Sequence, residues 1–274
     1  MITISIEDKP YSLPENWKEI SCKDLLIIAD LYTRFYATGD FLKHALVGML
    51  GIRRNLVLYG DQVAFAEGLY RVLPFPVLIR RGINKGKVKV FSQEDLFALS
   101  ELLSWINSPS DSHNTLTKNL LPRITVRRKL LFRQHLFGPG DHLRDVIAIE
   151  FAKADAAYLA FCSTGDPSRL DDLVGTLYRP RKWYWRLEKL FTDQHTSSRR
   201  RYTERQSTLH GYCSFSLSLA VKYAVFLFFQ GCRNELLTKY PEVFSSEGGE
   251  NSGSIGWAGV FRALTNENIV DIDR

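Results

Sequence analysis

The sequence predicts an α+β fold, mostly α-helical, with two small β-hairpins in its N-terminal part. Three observations carry that reading. Residues 2–6 (Ile-Thr-Ile-Ser-Ile) alternate strictly, which is the period of a strand. Val77-Leu78-Ile79-Arg80-Arg81 and Lys87-Val88-Lys89-Val90-Phe91 flank a Gly- and Asn-containing loop, a hairpin pattern. Most of the remainder carries apolar residues at helical spacing, between stop signals such as Thr38-Gly39-Asp40 and Tyr178-Arg179-Pro180.

Taken in order, Ile2, Ile4 and Ile6 share one face of the first strand. Glu7-Asp8-Lys9-Pro10 turns, Tyr11-Ser12-Leu13 returns, and Pro14 stops the pairing because it has no N–H. Ser21, followed by Asp24, resembles a capping box for a helix running to about Ala37. Asp40 caps a second helix, from Phe41 to about Leu50, and a third is expected between Gly60-Asp61 and Pro74. After the second hairpin, Ser92 starts a helix to Ile106, with Leu96, Leu99, Leu103 and Ile106 on one stripe. Residues 107–117 are polar, contain Pro and Ser, and lack periodicity. They read as a linker between a hairpin–helix domain at 1–106 and a helical domain at 118–274.

Within the second domain a long helix is expected from about Leu143 to Phe161, where Val146, Ile149, Ala152, Ala156 and Leu159 recur near 3.6 residues. Another starts at Asp166-Pro167, with proline at its first position. Phe215 to Phe229 is the most apolar stretch but carries Lys222 near its middle. A membrane span needs about 20 apolar residues, and a central Lys costs roughly 2.5–3.5 kcal/mol on insertion. A buried core helix is therefore expected, and no membrane association. Gly248 to Ser254 reads as a loop and Trp257 to Leu264 as a last short helix.

Composition is globular: 274 residues, 45% hydrophobic and 24% charged. This excludes collagen-like, disulfide-rich, coiled-coil and multi-span membrane classes. Cys22, Cys162, Cys213 and Cys232 form no C-x-x-C pair and read as reduced core thiols. The N-terminus lacks the basic start and apolar run of a signal peptide, so a cytoplasmic protein is expected.

Chemical motifs are scarce. Gly138-Pro139-Gly140 lacks dinucleotide-loop spacing, and neither a phosphate-binding G-x-x-x-x-G-K-[ST] run nor a G-x-S-x-G elbow occurs. His135 and His142 are separated by that glycine-proline break, so no metal site is expected. Asp171 and Asp172 point about 100° apart on a helix. Glu150 and Asp155 do not share a stripe, and a solvated helix face is the reading for both. The expectation is a protein that is not an enzyme, with no catalytic residue, cofactor or metal.

The strong polar feature is charge segregation. The net charge of +6 is matched by residues 179–205 alone and again by residues 118–133, so the rest of the chain sums to −6. The first island, Arg123 to Leu131, mixes cations with apolar residues and reads as an amphipathic element with a charged outer face. The second interleaves cations with aromatics: Arg179, Arg181, Lys182, Trp183, Tyr184, Trp185 and Arg186, then Arg199, Arg200, Arg201 and Tyr202. These eleven residues are the candidate partner-binding set. One reading is a loop that docks on an acidic protein partner, or on the acidic remainder of the chain itself. The alternative is a nucleic-acid-binding module, in which cations neutralise phosphates and aromatics stack on bases. Arginine over indole is also favourable at an ordinary protein surface.

The stretch Tyr11-Ser12-Leu13-Pro14-Glu15-Asn16-Trp17-Lys18-Glu19-Ile20-Ser21 is similar to a strand, Leu-Pro-x-x-Trp-x-Glu-Leu-Thr, helix opening of small phage tail and baseplate assembly proteins. Leu136 to Asp141, Glu150-Phe151 with Ala154-Asp155, Leu177 to Pro180 and Gly256 to Leu264 resemble segments of phage and prophage proteins. Together these cover about a quarter of the chain, and each is a folding device rather than a chemical motif. The resemblance implies a chaperone-like or baseplate-associated role in tail assembly, with tape-measure or hub proteins as partners. It places the protein in the bacterial host cytoplasm or on the virion. The chain is longer than a minimal tail chaperone, and its basic segment matches no family site.

Overall fold

A computed structural model describes residues 1–6, 9–35, 42, 45, 49, 56–59, 62–66, 88–92, 98, 100–106, 115–129, 132–185, 198–203, 205 and 216–240. The fold is α+β and mostly helical. Two compact units emerge, one of residues 1–115 with 219–224, the other of 116–218 with 225–274.

In the first unit, β1 (Ile2–Ile6) and β2 (Lys9–Leu13) form an antiparallel hairpin, with Ile2 opposite Leu13 and Ile6 opposite Lys9. Helix α1 (Cys22–Phe35) starts where Ser21 Oγ accepts the Asp24 N–H at 3.2 Å and its hydroxyl donates to the Asp24 carboxylate at 2.5 Å. Ser21 thus caps α1 as expected, with Asp24 bonded to its hydroxyl where a full capping box would engage its backbone N–H. Leu25, Ile28 and Ala29 bury one face of α1. Trp17 is buried beside them, edge-on to Trp105 at 5.2 Å, and the Trp105 indole donates to Pro14 O at 3.1 Å. The tryptophan after Leu13-Pro14 thus packs where the hairpin leads into the helix. Leu42, Ala45 and Met49 are helical, as expected.

The expected helix after Gly60-Asp61 is corrected by a strand. β3 (Leu56–Tyr59), β4 (Gln62–Ala66) and β5 (Val88–Ser92) form a three-stranded antiparallel sheet with β4 in the centre. Val63 and Phe65 alternate with Gln62 and Ala64, and pairing on both edges favours that period over a helical one. β5 is an arm of the expected second hairpin, but its partner here is β4; residues 77–81 lie outside the described residues. The helix expected up to Ile106 gives way to a 3₁₀ turn over Ser104–Ile106.

In the second unit the first basic island is itself a hairpin, β6 (Arg123–Lys129) with β7 (Phe132–Phe137). Ile124, Val126 and Leu136 are buried, while Arg123, Thr125, Arg127, Arg133 and His135 face solvent. The long helix starts five residues later than expected, as α2 (Ala148–Thr164). His142 and Leu143 both have left-handed backbones (φ 57° and 55°), which interrupts any helix running through them. Gly165, at φ 67°, closes α2 and donates to Phe161 O at 2.8 Å. Helix α3 (Ser168–Leu177) follows Pro167. The apolar helix, α4 (Leu219–Lys239), begins four residues later than expected and continues past Gly231. Among the described residues no helix is long and apolar enough to cross a membrane.

The core of this unit is aromatic. Tyr158 stacks on Phe226 at 5.1 Å, and Phe151 and Phe161 pack against Phe229 and Phe226. Mid-helix Gly231 lies so close to the chain that a Cβ there would collide with the Leu116 backbone. Cys232 is buried, whereas Cys22 and Cys162 are exposed, a correction to the expectation of core thiols. Cys213, the 248–254 loop and the 257–264 helix lie outside the described residues.

Candidate functional site

The site begins with a pairing that joins the two basic islands. Phe137, at the end of β7, exchanges both backbone hydrogen bonds with Arg179, at 2.7 and 3.0 Å. Arg181 then bridges to Arg199, fixed by Lys182 N–H to Ser198 O and Arg200 N–H to Pro180 O, each 2.9 Å. The lateral order is β6, β7, residues 179–181, residues 199–200. Pro180 suits the third position, since it lacks the N–H that a continuous ladder would need.

This order carries two of the candidate cations inward. Arg199 is 2% exposed and Arg179 4% exposed, and both converge on Glu150, which is fully buried. Arg179 Nη2 donates to Glu150 Oε2 at 2.6 Å, and Arg199 Nη1 to Glu150 Oε1 at 2.8 Å. Arg199 also donates to the Asp145 carboxylate at 2.9 Å and to the carbonyls of Asp145 and Leu177, both at 2.7 Å. Asp145 in turn accepts the Gly140 N–H at 2.7 Å. Two guanidiniums thus face two carboxylates, and the cluster is neutral. Burial raises the Glu150 pKa above the ordinary carboxyl range, opposed by the Arg199 and Arg179 charges. Burial likewise lowers the Arg179 pKa from its ordinary value, with the Arg199 charge adding to the effect.

The solvated face expected for Glu150 and Asp155 is therefore corrected. Both side chains point inward, Asp155 onto Arg233 Nε at 2.5 Å, while Ile149 and Leu159 of the same helix are exposed. Sequence reasoning missed Glu150 and Asp145 as partners of the basic segment. A signal was present: α2 is apolar on nearly every side, so its carboxylates had no polar stripe to join.

The remaining candidates lie further out. The Arg181 guanidinium is held between two rings, 4.1 Å from the Phe137 centroid and 4.3 Å from that of Trp185. Trp183 is 82% exposed and Tyr184 42%, and their rings meet edge to face at 5.5 Å. Lys182 Nζ lies 5.9 Å from the Tyr184 ring, and Tyr202 lies 5.8 Å from the Arg179 guanidinium. Arg200 and Arg201 are exposed, and Arg186 lies outside the described residues.

Chemically the Glu150 carboxylate is closed off, while Arg179 Nε is buried without a hydrogen-bond partner among the described residues. Each Glu150 oxygen already accepts from an arginine, so the carboxyl meets no solvent-borne group. Among the described residues no group of three or more His, Cys, Asp or Glu is placed to hold a metal. His142 pairs with Glu235 at 2.7 Å, and His135 with Thr125 at 3.0 Å, both at the surface. What the arrangement presents outward is an aromatic pair with cations beside it. No protein-family profile, curated protein or solved structure matches the chain.

Proposed function

We propose that the protein is a non-enzymatic binding protein that engages a protein partner through Trp183, Tyr184 and the neighbouring cations, as an accessory or structural component of phage or prophage tail assembly. The observation that carries the binding role is Trp183, 82% exposed and paired with Tyr184 on a segment whose base is fastened by Arg179 and Arg199. Tryptophan, tyrosine and arginine are the residues that most often dominate binding energy at protein interfaces, and a pre-ordered base lowers the entropic cost of docking. The tail-assembly context is supported by the Leu13-Pro14-Glu15-Asn16-Trp17 opening.

Co-expression of the full chain with the tail-tube, tape-measure and baseplate proteins of its phage or prophage tests this reading. A stoichiometric complex on size exclusion is expected, weakened about tenfold or more by Trp183→Ala with Tyr184→Ala. Absence of a complex with every tail component would sink it.

A further inference from the structure

We propose that the outer face of the β6/β7 hairpin is a binding site for the phosphate backbone of double-stranded nucleic acid. This goes beyond the protein-partner reading and uses other residues. Alternation sends Arg123, Thr125 and Arg127 of β6, with Arg133 and His135 of β7, to the solvent side. The register sets Arg127 directly opposite Arg133 and Thr125 opposite His135. Opposed residues in such a ladder lie about 5 Å apart, and like charges in that position destabilise the pair. Among the described residues no ion pair reaches Arg123, Arg127 or Arg133 to offset this repulsion.

A polyanion laid across the face relieves the repulsion. The occupant follows from what the face lacks as well as what it holds. Its five described exposed side chains are all polar. Phe137, opposite Arg123 on the same face, is half-buried with the Arg181 guanidinium 4.1 Å over its ring. The aromatic there is covered by a cation and is not an open anchor of the kind that a protein interface buries at its centre. Three of the five are arginines, whose planar forks match phosphate oxygens. Arg123 and Arg127 are four residues apart on one strand, a span of about 13 Å. That span matches the width of a duplex major groove, about 12 Å, so the two arginines can meet phosphates on either side of it. Phosphate contacts carry no sequence information, so the binding should be independent of base sequence.

The test is fluorescence anisotropy of the full chain with a mixed-sequence duplex of about 30 bp, between about 50 and 200 mM salt. The logarithm of affinity should fall linearly with the logarithm of salt. Arg123→Gln with Arg127→Gln and Arg133→Gln should reduce that slope by about 2.7, at about 0.9 for each phosphate no longer neutralised, and weaken binding at low salt by more than about tenfold. The triple variant relieves a like-charge pair, so its melting temperature should not fall. If it nevertheless fails to fold, the single variant Arg123→Gln must lower the slope by about 0.9. No duplex binding at low salt, or an unchanged slope in a folded variant, overturns the proposal. Equal binding of polyglutamate with the same loss in the variant also overturns it, since the face would then take an acidic polypeptide.

Discussion

Arg199, Arg200 and Arg201 are one triplet in the sequence and do unlike work in the fold. Arg199 is the bridge partner of Arg181 and turns inward to Glu150, Asp145 and two carbonyls, whereas Arg200 and Arg201 face solvent. Four donated hydrogen bonds from one planar group are more than an ammonium's three N–H donors can replace. Arg199→Lys should therefore destabilise the protein by about 2–4 kcal/mol, between the loss of one charged hydrogen bond and the breaking of a buried pair. Arg200→Lys should stay within about 0.5 kcal/mol. Urea unfolding of the two variants, side by side, checks the assignment. The sequence shows a cluster of cations but not which of them is interior. That choice depends on a strand register between residues far apart in the chain. Docking on the chain's own acidic remainder is one of the readings that the sequence leaves open, and Arg179 and Arg199 follow it.

Among the elements, those with local punctuation were legible. Pro14 and Ser21 mark the end of the first hairpin and the start of α1, and Gly165 with Pro167 separates α2 from α3. Elements that depend on distant pairing were not. Gln62–Ala66 is too short for its period to speak, and only β3 and β5 on either side decide it. The start of α2 was obscured by His142 and Leu143, since nothing in either residue type announces a left-handed backbone. The first turn of α3 carries a titratable support. The Ser168 N–H and hydroxyl donate to the Asp166 carboxylate at 2.9 and 2.5 Å, holding its pKa below the ordinary value. A folded pKa below the unfolded one gives a contribution that is complete above about pH 4 and is lost as pH falls through the folded value. Amide exchange over the first turn of α3 should accelerate relative to the α3 interior across that range. Asp166→Asn should remove the dependence.

For the whole molecule, the cations of the two basic islands fall into three groups with separate consequences. One is neutralised inside, by Glu150 and Asp145. Another stands beside the Trp183–Tyr184 pair, and a third lies on the outer face of β6 and β7, without an ion pair among the described residues. The pairing of Phe137 with Arg179 places the two islands side by side in one unit, which residues so far apart in the chain could not announce. The same holds for unit membership. Leu219–Ala224 belong with residues 1–115, and Tyr223 stacks on Tyr32 at 6.0 Å. A chain ending at Ser218 should accordingly show faster amide exchange in α1 than the full protein, read by mass spectrometry.

That membership also sets a schedule. On the ribosome, residues 1–115 emerge roughly a hundred residues before the helical turn that completes their unit. At about 5–20 residues per second this is an interval of some 5–20 seconds, in which the α1 surface destined for Tyr223 has no cover. The second unit is interrupted by the same six residues and closes only after them. Neither unit can finish until residues 219–224 are made, so the α1 surface around Tyr32 must stay soluble over that interval.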